Sequence, residues 1–150
     1  MSTDAPTPAA GTLPPNPYNP LAWIVGQPVI EDDVWIGAFT VVDGSGGLTI
    51  EHGCDISSGA QIYTHSTVAR CVTDRALPIE RAATRLGRNV HVGANAVVLM
   101  GCDIGAHSIV GAGAVVKQGT VAPPYSLLVG VPARIIVDGA RRVGTDSDHS

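Results

Sequence analysis

Between residues 30 and 121 the apolar positions recur every six residues. The aliphatic of each hexad is Ile30, Ile36, Val42, Ile50, Ile56 and Ile62, then, past a gap, Leu86, Val92, Val98, Ile104, Val110 and Val116. Four residues after each aliphatic stands a small or short side chain, as in Thr40, Cys54, Ala60, Ala96, Cys102, Ser108 and Ala114. Neither a strand period of two nor a helix period of 3.6 accounts for this beat. A short fixed repeat predicts a parallel β-helix, in which each hexad gives one flat strand and one corner and three hexads close a triangular coil. The aliphatics stack inside the prism, the small residues fit the corners, and Gly, Asp and Asn relax the turns.

The beat is interrupted twice. About two extra residues lie within Asp43-Gly44-Ser45-Gly46-Gly47, and the segment from Val68 to Arg85 places Asp74 and Glu80 where aliphatics would be needed. Counting three hexads per coil, both irregularities leave the prism at one corner, one coil apart, with His65 between them. Function in solenoids gathers in such outgrowths. After Val121 the run Ala122-Pro123-Pro124-Tyr125 is read as ending the repeat, and residues 129–137 as a final strand or cap. The expected organisation is a disordered or draped arm over residues 1–20, a β-helix domain over 21–137 with an external loop at about 68–85, and a flexible tail over 138–150.

Composition narrows the function classes. With 150 residues, 45% of them hydrophobic and a single Phe, one narrow prism is expected. A net charge of −4 without a basic block points away from nucleic acid and anionic membranes, and the lack of a long apolar run or a leader pattern points to a cytoplasmic protein. Cys54, Cys71 and Cys102 make an odd count without metal-type spacing, and Cys54 and Cys102 occupy the small corner position, so small buried filler is expected rather than redox or metal chemistry.

The string 43–50 followed by Asp55-Ile56-Ser57-Ser58-Gly59-Ala60-Gln61-Ile62-Tyr63-Thr64-His65 resembles the sugar and xenobiotic O-acetyltransferases of the bacterial hexapeptide-repeat transferase superfamily. The repeat and the closing stretch Pro123-Pro124-Tyr125 to Gly130-Val131-Pro132-Ala133-Arg134 extend this resemblance over about two thirds of the chain. It implies an all-β fold, a left-handed parallel β-helix, and acetyl-CoA-dependent transfer to a hydroxyl of a sugar or other small acceptor. It implies His65 as general base and a homotrimer with sites between subunits. Asp43, or alternatively Asp55, would orient His65. Carried over by position, Gly93, Ala94, Gly111 and Ala112 would lie along acetyl-CoA, with Lys117 and Arg134 toward the cofactor's outer end. The chain departs from the pattern at His91 and Ala94, where relatives carry Trp and Ser or Thr. Asp43-Gly44 replaces the Asp-His of serine acetyltransferases, which argues against serine as acceptor. Arg70, Arg75, Arg81 and Arg85 are read as solvated or subunit-bridging, or as facing a phosphorylated acceptor.

Two other readings share the fold. A γ-carbonic-anhydrase-like enzyme would need ligand histidines where this chain has Gly93-Ala94-Asn95-Ala96-Val97-Val98-Leu99, so no metal is expected. A non-catalytic trimeric scaffold would leave the paired outgrowths around His65 without purpose.

Overall fold

In the computed structural model, residues 11–145 are described; residues 1–10 of the expected arm and 146–150 of the expected tail lie outside them. Paired strands of two to four residues stack into three parallel faces of a left-handed β-helix. The first face is built from Trp23–Val25, Val41–Asp43, Gln61–Ile62, Val97–Val98 and Val115–Val116. The second holds Val29–Ile30, Leu48–Ile50, Thr84–Leu86, Asp103–Ile104 and Val121–Ala122. The third holds Trp35–Ile36, Asp55–Ile56, His91–Val92, Ile109–Val110 and Leu127–Gly130, closed by the antiparallel strand Ala133–Ile136.

The register stacks aliphatic on aliphatic. Val42 lies beside Ile62, Ile62 beside Val98 and Val98 beside Val116, all fully buried. Removing such a column from water is the main source of stability in a prism this narrow. The corners obey a second rule. The third residue after the aliphatic has a positive φ in eleven hexads, namely Asp33, Phe39, Gly53, Gly59, Asn89, Asn95, Gly101, His107, Gly113, Gly119 and Tyr125. Left-handed backbone is easiest for Gly and tolerable for Asn and Asp, which explains most of these residue types.

The repeat runs further than the sequence reading placed it. Ala122 and Leu128 are buried, on the second and third faces, and Ser126 fills the corner position. Pro123 and Pro124 do not end the helix because they sit in a corner, where the Pro123 carbonyl accepts the Ser108 and Ser126 hydroxyls. At the other end Trp23–Val25 forms the first rung of the first face, and the Asn16 side chain bonds the backbone of Tyr18, Asn19 and Ala22. Residues Gly139–Arg142, expected within the flexible tail, form a 3-10 helix whose Ala140 is buried and donates its N–H to Tyr125. The Cys54 and Cys102 thiols are buried, and burial pushes both upward.

Candidate active site

Two hexads break the corner rule. The positions equivalent to the left-handed corner are Ser45 after Val42 and His65 after Ile62, and neither has a positive φ. Both outgrowths therefore leave at one edge, between the first and second faces. The chain departs after Thr64 as the strand His65–Ser66, runs through α1 (Val68–Val72), returns as Glu80–Arg81 pairing antiparallel with His65–Ser66, and rejoins the second face at Thr84. Released from the turn, the imidazole meets Asp43 and Ser45 of the first outgrowth through Nδ1.

Asp43 supplies the other half. Its carboxylate is 1% exposed and meets His65 Nδ1 at 2.5 Å through Oδ2. The same oxygen accepts the Thr64 N–H at 3.0 Å, and Oδ1 accepts the Ser45 N–H at 3.0 Å. Burial pushes this carboxyl up, but the hydrogen bonds from Thr64, Ser45 and His65 outweigh it and hold Asp43 at about 2. A carboxylate fixed there orients the imidazole with Nδ1 inward, leaving Nε2 without a hydrogen-bond partner among the described residues. His65 also lines a cavity of about 290 Å3, together with Tyr63, Ser66, Thr67, Val68, Leu99, Met100 and Gln118. Tyr63 donates its hydroxyl to Gln61 at 2.7 Å, and its ring meets the His65 ring edge-on at 6.1 Å.

Thr64 holds this arrangement together and was not singled out from the sequence. Fully buried, it donates its hydroxyl to the Asp43 carbonyl at 2.9 Å and accepts the Gly46 N–H at 2.8 Å. A Cβ on Gly46 would stand 2.1 Å from the Thr64 carbonyl oxygen. Gly46→Ala is therefore expected to cost about 1–3 kcal/mol, from forced displacement of packed backbone. Thermal melting checks this, and an unchanged midpoint would show that the bulge yields freely.

Asp43 also sets an acid limit. Its folded value of about 2 lies below the ordinary 3.8, so its contribution is whole above about pH 4 and is lost as pH falls through about 2. The amount is about 2 kcal/mol. Urea midpoints at about pH 5 and pH 2 should fall further for the wild type than for Asp43→Asn.

Asp55, the alternative orienting group, is exposed on the outer side of the third face, beside Trp35 and His91, and does not approach His65. Arg85 is likewise turned outward on the second face, held by Glu51 at 3.2 Å and Asp103 at 2.6 Å. His91 approaches the Ser57 hydroxyl at 3.4 Å, away from the Asp43–His65 pair. Among the described residues no group of three His, Cys, Asp or Glu side chains could hold a metal ion, and no helix is long and apolar enough to cross a membrane.

Comparison with known proteins assigns the family. A model for the bacterial transferase hexapeptide (six repeats) matches residues 83–118, and one for the hexapeptide repeat of succinyl-transferase matches residues 28–64. The carnitine operon protein CaiE of Escherichia coli is 30% identical over 135 residues, covering 87% of this chain and 67% of that protein. The chain belongs to the bacterial hexapeptide-repeat transferases. A serine acetyltransferase of Staphylococcus xylosus is 32% identical over 114 residues, 76% of this chain, and the chain spans 50% of that relative's length. The N-acyltransferase AntD from Bacillus cereus, solved in complex with dTDP and 3-hydroxybutyryl-CoA, superposes with a TM-score of 0.68 at 22% identity, over 80% of this chain and 67% of that one. That likeness is one of fold.

In this hexapeptide-repeat transferase the expected cofactor residues fall into separate groups. Lys117 follows Val115–Val116 and so shares the His65 edge, next to Gln118 of the cavity wall. Gly93, Ala94, Gly111 and Ala112 lie at the opposite edge of the first face, between the third and first faces. There a Cβ on Gly93 would stand 2.5 Å from the Ala112 nitrogen, so Gly93 is set by coil stacking while Ala94 and Ala112 are exposed. Arg134 is exposed on the closing hairpin of the third face, opposite Val129. One chain thus brings His65, Asp43 and Lys117 to one edge and does not bring the other four glycines and alanines, or Arg134, to it.

Proposed function

We propose that the chain is an acetyl-CoA-dependent O-acetyltransferase acting on a hydroxyl of a sugar or other small acceptor, with His65 as general base and Asp43 as its positioning residue. The observation that carries this reading is the imidazole held through Nδ1 by a buried carboxylate, with Nε2 unpaired among the described residues and His65 lining the cavity. An acceptor hydroxyl placed there gives its proton to Nε2 as its oxygen attacks the thioester carbonyl. Asp43 supports the imidazolium that forms. The C–S bond then breaks, the C–O bond stays, and the proton passes from His65 to the departing thiolate. A thiolate leaves readily, so no covalent enzyme intermediate is required. The S. xylosus relative, by its name, transfers acetyl groups, which supports the same donor here.

A homotrimer completes the reading. The outward side of the first face presents Trp23, Val41, Gln61, Val97 and Val115, a row apolar at four of its five positions and suited to cover by a second copy. Packing of that face would set the His65 edge of one subunit against the Gly93, Ala94, Gly111 and Ala112 edge of its neighbour, giving acetyl-CoA a cleft with walls from two chains. Release of CoA thiol from acetyl-CoA in the presence of hydroxyl acceptors tests the activity. No acceptor-dependent release across neutral, amino and acidic sugars would oppose it.

A further inference from the structure

We propose that Arg81 is a second anchor for the acceptor and that the acceptor carries an anionic group, a carboxylate or a phosphate, beside the hydroxyl facing His65. This deepens the reading above and rests on it for the identity of the site. Glu80–Arg81 pairs antiparallel with His65–Ser66, with Arg81 directly across from His65. The Ala82 N–H donates to the Thr64 carbonyl at 3.1 Å, so the backbone bond flanks the His65 and Arg81 pair. That makes it the narrow, non-hydrogen-bonded kind of cross-strand pair, in which both side chains project from the same side and stand closest. An acceptor seated at Nε2 is therefore within reach of the Arg81 guanidinium.

That guanidinium is uncommitted. Arg81 is exposed and has no ion pair among the described residues, whereas Arg85, four residues on, is taken up by Glu51 and Asp103. Glu80 lies opposite Ser66, on the other side of the ribbon. The local field favours anions too. Leaving out Arg85, which is paired with Glu51 and Asp103, residues 68–84 hold Arg70, Arg75 and Arg81 against Asp74 and Glu80, a balance of +1 in a chain of net −4. Besides His65 the cavity is lined by Tyr63, Ser66, Thr67, Val68, Leu99, Met100 and Gln118, which can offer hydrogen bonds but no counter-ion to a charged acceptor group. A planar fork of donors on a positively biased loop is the arrangement that selects carboxylate or phosphate.

The test is calorimetric titration of the full chain with glucose, glucuronate and glucose 6-phosphate, for the wild type, Arg81→Gln and His65→Ala. At least one anion should bind at least about tenfold tighter than glucose, the scale of a charge-assisted pair. Arg81→Gln should remove most of that advantage at an unchanged melting temperature, while His65→Ala keeps it, and the tighter anion tells carboxylate from phosphate. Anions binding no better than glucose, or an advantage that survives Arg81→Gln, would overturn the proposal. The base assignment fails separately, through His65→Ala retaining acyl transfer.

Discussion

His65→Ala is expected to lower kcat for acetyl transfer by about 10²–10⁴-fold, the range for removal of a general base. The loss belongs in kcat because the imidazole acts on a proton that moves only as the bond to the acyl carbon forms. The ring is about one-third exposed and sits outside the buried aliphatic columns, so the variant should keep its fold and melting temperature nearly unchanged. Steady-state kinetics by thiol release, paired with a thermal melt, checks both halves. A variant working at near wild-type rate would remove His65 from the chemistry, and one that fails to fold would place it in the core.

Asp43→Asn is expected to approach the same loss, on the order of 10²–10⁴-fold in kcat, by a different route. The carboxylate accepts from His65 Nδ1 while also accepting the Thr64 and Ser45 N–H groups. An asparagine has one oxygen for these three donors, and its amide N–H group in place of the second oxygen would favour the imidazole tautomer with the proton on Nε2, which cannot act as base. Some stability should go with it, about 1–3 kcal/mol for a buried donor left without its acceptor. The discriminating outcome is the ratio of the two effects. A large stability loss with little change in kcat per folded molecule would make Asp43 a corner brace rather than a positioning residue.

Much of this architecture could be read from the chain because a prism repeats one simple requirement. Every interior aliphatic and small corner residue answers to the same geometry, so twelve hexads announce the coil, and the two places where the beat fails announce the outgrowths. Pro123-Pro124 reads as the end of the repeat because proline disrupts a strand or helix interior, yet a β-helix corner needs no N–H there, and Ala122 and Leu128 keep the six-residue phase. The choice between Asp43 and Asp55 was open to the same logic. Asp55 immediately precedes its aliphatic, a position that faces outward on the strand, as Arg85 does before Leu86 and His91 before Val92. Asp43 follows Val42, where the chain enters the irregular corner and its side chain can turn beneath His65. Thr64 carries no signal, since a threonine in a corner is ordinary filler, and its value comes from bonds across eighteen and twenty-one residues of separation.

The claim that most depends on this geometry is the resting tautomer of His65, and ¹⁵N NMR of the labelled full chain reads it directly, with His65→Ala assigning the signal. At a pH where the ring is neutral, Nδ1 should carry the proton toward Asp43 and Nε2 should show the shift of an unprotonated nitrogen open to the cavity. A ring with its proton on Nε2 in the wild-type protein would contradict the account, because no base would then face the acceptor.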